Sequence, residues 1–175
     1  MASPTRLDDA AVLNISGKML PSEIAKTIQG VATMYAPASS SEGWYYKLTN
    51  VTTTSGLLLS ESPYLSKGAD ARGTDVGSNT SIASLSDKVK FLIVIHTGFR
   101  ADGSTINDES VYISTNGASA AHNANCIEIS NKEMWYAKMN NTTIGDISAI
   151  VGDPSGGGTG SNKVQCIVAA ILEDV

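Results

Sequence analysis

Two apolar stretches decide the fold class of this chain, VKFLIVIHT at residues 89–97 and VQCIVAAILE at residues 164–173. Between them lie three further β-branched or aromatic runs, SVYIST at 110–115, CIEIS at 126–130 and MWYAKM at 134–139. Each of these three runs is followed by a cluster of small polar residues. Short runs at this spacing, with no long helical pattern between them, are typical of antiparallel sandwiches and barrels. We therefore predict an all-β fold, an antiparallel jelly-roll-like sandwich.

The run at 89–97 is predicted to be a central strand, because both of its faces are apolar at the middle. Alternation gives one wholly apolar face, made of Val89, Phe91, Ile93 and Ile95, and one mixed face, made of Lys90, Leu92, Val94 and His96. We expect the wholly apolar face to meet the core. Residues 44–49 also alternate and predict a half-buried strand, with Trp44, Tyr46 and Leu48 on the same side.

The first part of the chain is predicted to be an N-terminal arm with a short helix over residues 1–43, ahead of a β-sandwich domain at 44–175. Residues 1–20 have five aliphatic side chains without helical or strand periodicity, namely Leu7, Val12, Leu13, Ile15 and Leu20. Such a segment frays unless contacts hold it, so we predict that these five form an interface with a partner.

The short helix is predicted at residues 23–29. Ser22 can cap it, Pro21 prevents an earlier start and Gly30 ends it. Residues 61–87 are rich in Gly, Ser, Thr and Asp and predict a long functional or interface loop.

The composition excludes several classes of partner. The 175 residues include 12 Lys and Arg against 17 Asp and Glu, a net charge of −5, and the basic residues do not cluster. A nucleic-acid partner needs a concentrated cationic face, so we expect none. No apolar run approaches a membrane span and the start has no secretory signal pattern, so we expect no membrane association and synthesis in a cytoplasm. Charged residues are only 17% of the chain, which suits a surface buried against neighbours.

No catalytic motif is present, and we expect neither an enzyme nor a cofactor. The chain has two histidines, and His96 is predicted to be a structural strand-end side chain. A zinc site would have to combine His122 and Cys126 with His96 and Cys166, and we expect no metal and free thiols. The Gly-rich segment 152–163 lacks the Gly-Lys-Ser/Thr ending and the following helix of a phosphate-binding loop.

Two weaker kinds of site stay open at this point. Acidic loops at 70–75 and 102–109 contain hard oxygen ligands for Ca²⁺, although solvated turns explain them as well. A sugar-stacking platform is a second alternative, and it would draw on Trp44, Tyr45, Tyr46, Trp135 and Tyr136.

From residue 110 onward the order of segments is familiar. SVYIST and CIEIS lead to NKEMWYAKMNNTTIGDISAIVGD, then a Gly-rich gap and VQCIVAAILED. This order resembles small β-sandwich virion proteins of tailed bacteriophages, over about residues 88–175, and an arm before a sandwich also resembles capsid cement proteins. The resemblance implies a structural protein of the virion, a capsid decoration or cement protein without catalytic residues.

The expected partners are therefore the major capsid protein or other virion proteins, together with further copies of the chain in a homo-oligomer. A host-recognition module of a tail or fibre, binding glycans through aromatic side chains and the 61–87 loop, is the alternative. A hydrolase acting on cell-surface polymers ranks last.

Overall fold

The computed structural model describes residues 11–18, 27–34, 42–59, 63–66, 80–107, 109–122, 125–152 and 163–175, and for 11–18, 27–34, 63–66 and 80–82 it describes the strand backbone. The chain divides into two compact units, Met1–Ala38 and Ser39–Val175.

The first unit contains an antiparallel pair of strands, β1 (Ala11–Lys18) and β2 (Thr27–Met34). The prediction of a helix at 23–29 is wrong at residues 27–29, which belong to β2, and residues 23–26 lie outside the described part. Gly30, expected to end a helix, lies within β2 opposite Ile15. The β-branched residues of 27–31 favour an extended backbone, and pairing with β1 satisfies its hydrogen bonds. The segment predicted to be an arm contains β1 at Ala11–Lys18, although its aliphatic residues show no strand periodicity.

The second unit contains ten strands and one 3₁₀ helix among its described residues. The strands are β3 (Glu42–Val51), β4 (Gly56–Leu57), β5 (Pro63–Ser66), β6 (Thr80–Ile82), β7 (Lys88–Arg100), β8 (Val111–Ser114), β9 (Ile127–Ile129), β10 (Met134–Lys138), β11 (Ser148–Val151) and β12 (Val164–Glu173), and the 3₁₀ helix is Ile144–Asp146. The predicted loop at 61–87 is interrupted by β5 and β6, so that prediction is wrong at these two strands.

These strands form two antiparallel sheets. A six-stranded sheet has the order β10-β7-β12-β3-β5-β6, and a four-stranded sheet has the order β4-β11-β8-β9. The buried core lies between them and draws on both, with Val94 and Val168 from the larger sheet and Ile113 and Val151 from the smaller one, each fully buried. The predicted all-β sandwich is confirmed.

A β-bulge in β7 decides which of its side chains reach the core. Along β12, Ile171 pairs with Phe91 and Leu172 pairs with Val89, so Lys90 is an extra residue without a register partner. The extra residue reverses the alternation, because side chains on a strand alternate with period two. Val89 therefore lies in the core together with three residues of the mixed face, Leu92, Val94 and His96. All four side chains are at most 1% exposed.

Phe91, Ile93 and Ile95 consequently lie on the opposite face of β7, and Ile93 and Ile95 are only partly buried. The prediction that Ile93 belongs to the core face is wrong. The physical reason is that the charged side chain of Lys90 stays in water, 44% exposed, while the bulge lets both Val89 and Leu92 enter the core.

Candidate functional site

The loop that follows β8 packs on the outer face of the four-stranded sheet. The backbone N–H of Ala120 lies 2.8 Å from the hydroxyl oxygens of both Ser55 and Ser148, which attaches the loop to β11 and to the turn before β4. The His122 ring packs edge-on against the Tyr112 ring with centroids 5.0 Å apart. Tyr112 is therefore only 6% exposed although it points away from the core.

The outer face of the six-stranded sheet is built differently, because apolar side chains from four strands lie side by side on it. The middle row across β10, β7, β12 and β3 is Tyr136, Ile93, Ala169 and Tyr46. The next row is Met134, Ile95, Ile167 and Leu48, and on the other side Phe91 and Ile171 lie next to each other. We call these ten residues the apolar face.

The side chains of the apolar face are most exposed to solvent on β3 and on β10. Tyr46 is 65% exposed, Leu48 is 49% exposed and Met134 is 41% exposed. Phe91 is nearly buried, and its ring stacks on the Tyr136 ring with centroids 6.2 Å apart. Ile171 is also buried, and the remaining side chains of the apolar face are half-buried, so apolar side chains follow one another across the four strands.

Charged residues border one end of the apolar face. Lys90 and Glu173 form an ion pair of 2.8 Å, and Lys88 and Glu42 lie opposite Glu173 on the two neighbouring strands. The hydrogen bond between Lys90 and Glu173 raises the pKa of the ammonium group and lowers the pKa of the carboxyl group. Both side chains are close to solvent, which screens the pair, so its contribution to stability is small.

The other end of the apolar face is bordered by uncharged polar residues. Gln165 pairs with Asn50, and the Thr97 hydroxyl donates a hydrogen bond of 2.7 Å to the backbone carbonyl of Gln165. An apolar centre with a polar border is the usual composition of a protein–protein interface.

His96 lies inside β7, which continues to Arg100, so its predicted place at a strand end is wrong, but its ring makes structural contacts with backbone. Its side chain is 1% exposed, its Nε2 lies 2.9 Å from the backbone carbonyl of Glu109, and the Gly98 N–H donates to its Nδ1 at 3.0 Å. Because Nδ1 accepts a hydrogen bond, the proton of the neutral ring is on Nε2, which donates to Glu109. Both ring nitrogens thus hold backbone in place beside the last third of β7.

The four residues considered for zinc are not brought together. His96 and Cys166 are register partners in the core, whereas His122 and Cys126 belong to the connection between β8 and β9. Within the described residues, no group of three or more His, Cys, Asp or Glu could hold a metal ion. Both cysteines are free thiols, and burial raises the pKa of Cys166 to about 12.

In the acidic loop at 102–109, residues 102–105 form a tight turn around Asp102. One carboxylate oxygen accepts hydrogen bonds from the N–H groups of Ser104 and Thr105 at 2.8 and 2.7 Å, and the other accepts from the Thr105 hydroxyl. These bonds hold the pKa of Asp102 well below its usual value. Both carboxylate oxygens thus accept hydrogen bonds from within the turn itself. The loop at 70–75 and nearly all of the Gly-rich segment 152–163 lie outside the described residues.

The aromatic residues do not form a single platform. Tyr45 lies in the core, 1% exposed, and Trp135 packs against the core cluster. Tyr46 and Tyr136 are instead on the apolar face, with two strands between them. The side chain of Trp44 is not among those described. Of the predicted arm interface, Val12, Leu13 and Ile15 lie in β1, while Leu7 and Leu20 are outside the described residues, so that interface stays a prediction.

Sequence reasoning missed the apolar face as a unit, although alternation in β3 already placed Tyr46 and Leu48 together. In the described part of the chain, no helix is long and apolar enough to cross a membrane. No family model, curated protein or solved structure matches the chain.

Proposed function

We propose that this chain is a non-catalytic structural protein that acts by adhesion and buries the apolar face against a neighbouring protein of an assembly. The observation that carries this proposal is the continuous ten-residue apolar face on one side of the sandwich. Single apolar side chains on a surface need no explanation, but a contiguous set with a polar border marks an interaction site.

The size of the effect follows from the exposed side chains. A tyrosine buries about 200 Å² when fully covered, so Tyr46 at 65% exposure has about 130 Å² to lose. At roughly 25 cal/mol per Å², covering it is worth about 3 kcal/mol before the costs of association. Leu48 and Met134 add to this on the same face, so burial of the whole face favours a lasting contact.

The setting that we propose is the virion of a tailed bacteriophage, with the chain as a capsid decoration or cement protein. Its support is the order of strands and turns over residues 88–175 and the low content of charged residues, 17%. In this role the apolar area buried between neighbouring proteins on the shell offsets internal pressure on the capsid.

Glycan recognition in a tail or fibre is the second candidate, because the Tyr46 ring is accessible for stacking on a sugar. Tyr46 and Tyr136 lie three strand spacings apart, about 14 Å, so they cannot enclose one sugar ring. This separation favours the adhesion role.

The first test is the number of copies of the chain in purified particles, measured by quantitative mass spectrometry. Hundreds of copies per particle agree with decoration, a handful would shift the role to a tail or fibre, and absence from particles would refute a virion role.

The second test is rebinding of the purified protein to particles that lack it, followed by sedimentation. Leu48→Glu places a charge on the apolar face and is expected to abolish binding. Leu57→Glu is the matched control, because Leu57 is 43% exposed and pairs with Ser148 on the other sheet. Equal binding by both variants would contradict a role for the apolar face.

A further inference from the structure

The four strands of the apolar face have an arrangement that is complementary to itself. The face is centred on the line between β7 and β12, with β10 outside β7 and β3 outside β12. A two-fold axis lying in the interface along this line places β7 of one copy over β12 of the other, and β10 over β3. Sheets packed face to face cross at about 30°, and such an axis bisects that angle.

We propose that two copies of this chain pack sheet on sheet through the apolar face, related by a two-fold axis that runs along the strands between β7 and β12. This inference rests on the proposed function, because it identifies the neighbouring protein at the apolar face as a second copy of the chain. A two-fold interface requires each residue to meet its counterpart reciprocally, and the observed register allows this.

The side chains that this axis brings together suit one another in size. Tyr136 of one copy meets Tyr46 of the other, and the large Ile93 meets the small Ala169. In the next row Met134 meets Leu48. The pairing of a large with a small side chain at the centre lets the two sheets approach to the usual distance of about 10 Å.

The charged border is also complementary under this axis. Lys88 of β7 occupies the row of Glu173 of β12, so each lysine of one copy lies over a glutamate of the other. Lys138 of β10 lies one row from Glu42 of the opposite copy, about 7 Å along the strand, which a lysine side chain can span. Charges of opposite sign therefore meet, and the charged residue in the three apolar rows is Lys138, which pairs with Phe91 at the β10 corner of the apolar face.

The area predicts a dimer of moderate affinity. Four strands about 4.8 Å apart and seven residues of about 3.3 Å, from the row of Ile167 to the charged row of Glu173, give a projected area of about 440 Å². The accessible area is greater than the projection but stays at the lower end of the roughly 800 Å² per partner of a standard interface. We expect a dissociation constant in the micromolar range.

The first experiment is sedimentation velocity of the full chain from about 1 to 100 µM. The expected result is a monomer–dimer equilibrium that Leu48→Glu shifts to the monomer and the control Leu57→Glu leaves unchanged. A wild-type chain that stays monomeric at 100 µM would overturn the inference, and so would a dimer that Leu48→Glu does not weaken.

The second experiment is a charge exchange that tests the orientation. Lys138→Glu and Glu42→Lys are each expected to weaken the dimer two- to fivefold or more, as for exposed ion pairs, and the double variant is expected to restore it. A double variant weaker than both single variants would overturn this axis.

Failure of this inference is distinct from failure of the proposed function. If the wild-type chain is monomeric but Leu48→Glu still abolishes rebinding to particles, the apolar face binds another protein and only the second-copy inference falls.

Discussion

Replacement of Leu92 and of its neighbour Ile93 by alanine tests the bulge on which the orientation of β7 depends. Leu92 is fully buried, and its strand is held on both sides by β10 and β12. A strand fixed in this way relaxes little, so Leu92→Ala leaves a cavity and is expected to cost about 3–5 kcal/mol. Ile93 is half-buried on the apolar face, and Ile93→Ala removes a similar number of carbon atoms. Solvent fills that space, so the expected loss is about 1–1.5 kcal/mol.

The measurement is urea unfolding of both variants, followed by tryptophan fluorescence and circular dichroism at dilute protein so that self-association does not contribute. With a slope near 2 kcal/mol/M, Leu92→Ala lowers the midpoint by about 1.5–2.5 M and Ile93→Ala by less than about 1 M. A loss for Ile93→Ala equal to or greater than that for Leu92→Ala would show that simple alternation holds and that Lys90 is not an extra residue.

Three further predictions concern individual side chains. His96→Ala leaves the carbonyl of Glu109 without its ring donor and removes a buried side chain, and we expect a loss of about 2–4 kcal/mol in the same urea assay. Because hydrogen bonds lower the folded-state pKa of Asp102, its contribution is present above the unfolded pKa of about 3.9 and is lost as pH falls below it. Asp102→Asn should thus be less stable than the wild type at pH 7 and lose less stability between pH 5 and pH 2. The same loss of stability over this pH range in both proteins would contradict the prediction. Finally, a thiol reagent is expected to label the half-buried Cys126 and spare the buried Cys166 until the protein unfolds, as peptide mapping can show.

The sequence alone determined the all-β class and the main strands. The apolar runs that became β7 and β12 carry their preference locally, in β-branched side chains and in the polar clusters that follow them. The structural role of His96 followed from its place at the end of such a run. These conclusions need no knowledge of what lies beside each strand.

The tertiary structure decided where those strands point and what they leave uncovered. The bulge at Lys90 exists only in the register with β12, and it reversed the faces predicted for β7. Residues 27–29 became a strand because β1 pairs with them, although their local capping pattern favours a helix. The apolar face combines residues 46–48, 91–95, 134–136 and 167–171, which are far apart along the chain. The loop after β8 packs on the outer face of the smaller sheet, whereas the outer face of the larger sheet has exposed apolar side chains at Tyr46, Leu48 and Met134. Such surfaces arise from long-range pairing, so local periodicity cannot reveal them.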